Sequence, residues 1–278
     1  MSLVVCTPDD LDTMQSQVET IFKDVENKNI VYKSLGEDDF PYDNEGLGKV
    51  VRLVPVTDAD TLKVSFMMPS VYEKRAKRIV NYWTHLFGHE SEGSIFDLLK
   101  KEGLATGLSA GEYVPMESLI SVFNISVDLT KKGLEQWEQV LETIGAYLNK
   151  MKELGGAQKW VYEENKSLGE MSFKFYEKGS GVDQCVNYAA KIHETDYSAE
   201  QLSDIIYKKY AYGEEFDKEA LDDFLNQISL DRAIVIISSK DFEGHTETNE
   251  EIFNTAYSIA RLPDSALKSF VEGKLTWR

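Results

Sequence analysis

Two histidines, His85 and His89, stand four residues apart in the segment NYWTHLFGHESEG, residues 81–93. On a helix that spacing puts both imidazoles on one face, as two ligands of one zinc ion require. Catalytic zinc takes three protein ligands and keeps an open position for water, so a carboxylate from elsewhere in the chain would have to complete the set. The inverted catalytic motif reads H-x-x-E-H, and its glutamate takes a proton from the zinc-bound water. Gly88 fills the glutamate position, and glycine carries no base. Glu90 follows His89 directly, about 100° further round a helix, so it cannot substitute without local distortion. The pattern is that of a metal site that has lost its base.

Glycine is the second signal. GHESEG places Gly88 and Gly93 at a helix end, and TGLSAG places Gly107 and Gly111 along a strand. Glycine permits a sharp turn or the close approach of a foreign backbone. An edge strand of that kind could accept an extended peptide by strand addition. The competing reading is turn glycines and tight core packing. Glu90 would pair with a peptide amino terminus or simply face solvent. No phosphate-binding glycine loop, dinucleotide fingerprint or nucleophile elbow occurs. Tyr207, Tyr210 and Tyr212 lack the basic interleaving of a nucleic-acid platform.

The elements that must position these residues come from a chain of 278 residues, 42% hydrophobic and 28% charged, ordinary for a globular protein with a sizeable core. Thirty basic and 48 acidic residues give a net charge of −18. That charge disfavours nucleic acid and anionic membrane as partners and favours cationic peptides. No apolar run approaches the roughly 20 residues that span a bilayer, and no signal peptide is visible. Cys6 and Cys185 read as free thiols in a reducing compartment, so the expected location is cytoplasmic.

Residues 3–7 read as a strand, and residues 9–26 as a helix capped by Asp9 or Asp10, with Leu11, Met14, Val18, Ile21, Phe22 and Val25 on one stripe. Residues 28–47 lack periodicity and read as a linker. Strands follow at 50–56 and 61–68, joined as a hairpin through TDAD. A helix is expected over 71–87 and another over 94–101, with Gly103 closing it. Strands at 105–112 and 118–128 come next. Residues 131–153 form the clearest helix, with Leu134, Trp137, Leu141, Ile144, Leu148 and Met151 as its core stripe. A helix from 158 carries Val161, Leu168, Met171 and Phe175, with further helices at 182–194, 199–210 and 217–227. AIVIIS, 233–238, is a buried strand, and the polar tail holds one more strand at 255–259. The expected class is α+β, an antiparallel sheet with helices packed on it.

Several segments occur together in order: LGKVVRLVPVTDADTLKVSFMMPSVYEK, HLFGHESEGSIFDLLKKEGLATGLSAGEY, VDLTKKGLEQWEQVLETIGAYLNKMKELGG and RAIVIISSKDFEG. They resemble the second, non-catalytic domain of the insulysin/pitrilysin (insulin-degrading enzyme) family of zinc metallopeptidases, an inactive repeat of the peptidase domain. LVVCTPDDLDTMQSQVETIFKDVENKN resembles the end of the catalytic domain before it. The resemblance implies three parts: residues 1–27 from that preceding domain, a linker at 28–47, and a non-catalytic domain at 48–278. It implies no cofactor in this piece and zinc in the full-length parent. It puts the third ligand's counterpart at Glu163 or Glu164, so that His85, His89 and Glu164 are vestigial metal candidates, with no catalytic residue. It further implies a substrate-binding exosite for the N-terminal end of peptides. The matching positions are His85, Leu86, Gly88 and Glu90 from the helix region and Leu108, Ser109, Ala110 and Gly111 from the strand. At 109–111 the family often has two adjacent glycines, where this chain has Ser-Ala-Gly. The implied partners are peptide substrates and the other domains of the parent. Two alternatives stay open: a divergent zinc hydrolase using His85, His89 and a glutamate, and a structural partner like the inactive core proteins related to these peptidases.

Overall fold

A computed structural model describes residues 3–30, 45–71, 77–116, 120–177, 179–194 and 215–275. The chain divides into two units, Met1–Ser34 with Lys166–Tyr212, and Leu35–Asn165 with Gly213–Arg278.

In the smaller unit, α1 (Leu11–Phe22) is capped by Asp10, whose carboxylate accepts the Thr13 N–H at 2.9 Å. Its apolar stripe is present, but none of its residues is buried. Residues 3–7 are not a strand: no strand among the described residues pairs with them, and extended chain without a ladder partner stays irregular. α7 (Gly181–Glu194) follows the expected bounds closely. The helix expected over 199–210 and the three tyrosines lie outside the described residues.

Among the described residues, the larger unit is built on a seven-stranded sheet. Its strands are β1 (Lys49–Leu53), β2 (Thr61–Pro69), β3 (Ala105–Met116), β4 (Ile120–Leu129), β5 (Ala233–Ser238), β6 (Thr248–Asn249) and β7 (Ala256–Arg261), in the order β3-β4-β2-β5-β1-β7-β6. The expected β1–β2 hairpin does not form. β5 lies between the two strands, parallel to β1 and antiparallel to β2, so the sheet is mixed rather than purely antiparallel. A short connection was compatible with a hairpin, but the apolar β5, buried on alternate residues, takes the central place.

One face of the sheet carries Leu62, Val64, Phe66, Phe123, Ile125, Val127, Val235 and Ile237, all 0–1% exposed. Helices cover this face. α2 (Ile79–Phe87) contributes Trp83 and Phe87, α5 (Trp137–Glu153) Leu141 and Ile144, α8 (Lys218–Gln227) Phe224, and α9 (Asp264–Glu272) Phe270. Phe87 and Phe224 meet Phe123 at ring-centroid distances of 5.7 and 5.6 Å, and Phe270 meets Phe66 at 6.3 Å. The Trp83 indole N–H donates to the Leu221 carbonyl at 2.9 Å, tying α2 to α8.

Three helix expectations change. Arg78 is left-handed (φ 53°), so α2 cannot be continuous from residue 71. The 131–153 helix breaks at Gln136 into α4 (Lys131–Glu135) and α5, and Trp137 is half-buried beneath the Arg52 guanidinium rather than in the core. Of the stripe expected on α6 (Lys159–Lys174), Val161 is buried, while Leu168, Met171 and Phe175 are exposed; the division between units falls within this helix. α9 was not expected, since the tail read as polar.

Candidate functional site

The site lies where α2 ends against β3. Phe87 buries fully in the core and fixes the last turn of α2. The helix then stops at Gly88, whose N–H donates to the Thr84 carbonyl at 2.9 Å. Gly88 is favoured by proximity: a Cβ there would stand 2.9 Å from the Thr84 oxygen, while the Ala110 nitrogen, 3.5 Å away, would be at ordinary contact distance. α3 (Ile95–Lys101), capped by Ser94 and buried through Ile95, Phe96 and Leu99, leads the chain back into β3.

Among the described residues β3 is an edge strand, paired with β4 alone. The direction of its backbone groups follows from the ladder. Leu129 N–H donates to the Asp60 carbonyl at 2.8 Å, so alternate β4 residues Leu129, Val127 and Ile125 turn toward β2. Asp128, Ser126 and Asn124 therefore turn toward β3, where they pair with Gly107, Ser109 and Gly111. Leu108 and Ala110 consequently direct their N–H and C=O away from the sheet. Register shifts at Ala105/Gly107 and Tyr113/Met116 bound the regular stretch at both ends.

An open cleft of about 420 Å³ lies between these elements. Six of the eight expected binding residues line it: His85, Gly88 and Glu90 from the helix end, and Leu108, Ser109 and Ala110 from the strand. Leu86 and Gly111 do not. A Cβ on Gly111 would meet nothing within 4 Å, so that glycine faces open space. Thr84 and His89 also line the cleft. Thr84 was missed, though its place one turn before Gly88 could have marked it.

The two histidines are close, but not as helical neighbours. α2 ends at Phe87, so His89 lies outside it, with ring centroids 5.3 Å apart and the rings edge to face. His89 Nδ1 accepts the Ser91 N–H at 3.1 Å. Glu164 on α6 approaches His85, with 3.8 Å between Oε2 and Nε2. Burial pushes the His85 imidazole below its ordinary value, His89 adds to the shift and Glu164 opposes it. Among the described residues, no group of three His, Cys, Asp or Glu side chains is placed to hold a metal ion. His85, His89 and Glu164 are therefore not such a group.

A mixed sheet with helices on one face and a cleft at its free edge makes this an α+β unit. Two family models match the chain: "Peptidase M16 inactive domain" over residues 1–168, and "Middle or third domain of peptidase_M16" over residues 173–276. The chain belongs to the M16 peptidase family. It is 29% identical to insulin-degrading enzyme of Drosophila melanogaster over 270 residues, 97% of this chain and 26% of that protein. It is 29% identical to the Homo sapiens insulin-degrading enzyme over 99% of this chain and 26% of that protein. Human nardilysin is 28% identical over 95% of this chain and 23% of its own length. The chain thus spans about a quarter of the curated relatives it matches. The crystal structure of pitrilysin superposes with a TM-score of 0.81 at 21% identity, covering 96% of this chain and 27% of that one, which establishes a common fold. No described helix is long and apolar enough to cross a membrane.

Proposed function

We propose that this chain is a non-catalytic part of a longer cytoplasmic zinc metalloendopeptidase, forming part of the wall of its chamber and orienting the N-terminal part of peptide substrates. In this reading residues 1–27 end the preceding catalytic domain, residues 28–47 connect, and residues 48–278 form the capturing domain. Zinc belongs to the catalytic domain of the parent, where it would activate water. The observation that carries the reading is the edge of β3, where Leu108 and Ala110 turn unpaired backbone groups away from the sheet beside the α2 terminus. An extended peptide can pair with those groups while Gly88 and Ala110 keep the approach unobstructed. Glu90, exposed at the cleft margin, pairs with the peptide's ammonium.

Each added hydrogen bond contributes about 0.5–1.5 kcal/mol net. Four bonds from two residues barely offset the cost of association, so the chain alone binds weakly, near millimolar. The parent gains effective concentration by holding the same peptide at its catalytic centre. The chain itself hydrolyses nothing, because position 88 has no base, and Gly88→Glu does not create activity without a third ligand.

The test is an N-methyl scan along a peptide substrate of the parent. Methylation at alternate residues should weaken capture, while the intervening positions should not, because only every second N–H faces β3. A uniform effect, or none, would rule out strand addition. Chelator-sensitive peptide turnover by the chain alone would overturn the non-catalytic assignment.

A further inference from the structure

The sheet edge remote from β3 carries a feature that the cleft does not use. At the tip of the β6–β7 connection, Ile252 and Phe253 are adjacent and 81% and 82% exposed. The tip is built rather than loose. The Ile252 and Phe253 N–H groups both donate to the Glu250 carboxylate, at 2.6 and 2.7 Å. Glu250 N–H donates to the Thr255 carbonyl at 2.9 Å, and the Asn249 amide donates to the Asn254 side-chain oxygen at 2.9 Å. Asn254 takes the left-handed conformation (φ 54°) that closes the turn. A third apolar residue is at the same corner: Val54 N–H donates to the Ala256 carbonyl at 2.9 Å, and Val56, two residues on, is 92% exposed.

Two large apolar side chains on a backbone fixed by four hydrogen bonds have already met much of the ordering cost of a contact. A solvent-facing turn gains nothing from them, since polar residues serve there. Three residues also fall well short of the roughly 800 Å² per partner of a stable free-standing interface. Such a small contact becomes effective when a tether supplies the partner at about millimolar effective concentration. Glu247 and Glu251 beside the tip are exposed, so the surface that receives it should be basic around an apolar centre.

We infer that the Ile252–Phe253 tip, with Val56, is a docking knob that seats in a basic-rimmed apolar pocket on a part of the same polypeptide outside residues 1–278. The inference rests on the reading that the chain is part of a longer protein. The intact mass of the natural polypeptide is therefore measured first. A mass of only these 278 residues overturns both. For the longer polypeptide, hydroxyl-radical footprinting read by mass spectrometry compares side-chain oxidation with that of the 278-residue chain alone. Phe253 should be oxidised several-fold more slowly in the long form, and Glu247→Lys with Glu251→Lys should restore much of the rate. Equal oxidation in both forms overturns the knob while leaving the longer-protein reading intact. Protection already present in the 278-residue chain, together with a dimer by sedimentation, would assign the tip to a second copy and overturn the intramolecular partner. Protection unchanged by the two lysines would overturn the basic rim.

Discussion

Gly88 sits where a helix stops and an edge strand passes, and its missing side chain has two effects there. It supplies no base, and it leaves room at the Thr84 carbonyl oxygen, which a Cβ would crowd at 2.9 Å. The first effect could be read from the motif; the second could not, because it depends on the backbone conformation of the last helical turn, which the motif does not carry. His85 gives a test at the same scale. Its ordinary value is near 6.5 and the fold lowers it, chiefly by burial. Between the lowered value and 6.5 the unfolded chain binds more protons than the native one, so stability rises with pH across that window and falls as pH drops through it. Urea midpoints at about pH 5 and about pH 7.5 should differ by less in His85→Gln than in the parent sequence. An unchanged difference would place the pH dependence elsewhere.

Elements fix what single residues cannot. α5 and α9 approach so closely that a Cβ on Gly145 would stand 2.2 Å from the Phe270 carbonyl oxygen. Backbone cannot yield as a flexible side chain can, so Gly145→Ala should cost about 1–3 kcal/mol or more, despite alanine's better helix propensity. The denaturant midpoint should fall at constant slope; a stabilised variant would show that the helices slide apart freely. α9 itself was overlooked because it buries only Ala266 and Phe270, one of them a small side chain, so no broad apolar stripe marks it. Pro263 before it was a usable start signal. β3 and β4 were legible because alternation and glycines coincided. The β1–β2 pairing was misjudged because the decisive partner, β5, lies far away in sequence. Six of the eight residues that line the cleft came from matching motifs by resemblance; Leu86 and Gly111, named on the same ground, do not line it, because which residues border a cleft depends on packing that sequence order does not carry.

At the scale of the whole molecule, charge is the clearest property. With 48 acidic against 30 basic residues, and no lysine or arginine lining the cleft, the field around the chain favours cationic ligands. Affinity for a basic peptide should exceed that for an acidic peptide of equal length at low salt. The gap should close as the screening length falls from about 10 Å at 0.1 M to about 3 Å at 1 M. Titration of matched peptides across salt measures this, and equal affinities at low salt would remove charge from the account. Shape and hydrogen bonding would then carry selection alone.

The insertion of β5 between β1 and β2 bears on how the chain is made. During synthesis β1 and β2 emerge early, with β5 beginning 164 residues after β2 ends (Pro69 to Ala233), yet β5 hydrogen-bonds to both of them. Until residue 238 leaves the ribosome, the middle of the sheet is a slot with two unsatisfied edges. Such non-local pairing raises contact order and slows folding. The nascent chain must either leave that slot open or fill it wrongly, and the nearest wrong filler is the direct β1–β2 hairpin that the local sequence itself invites.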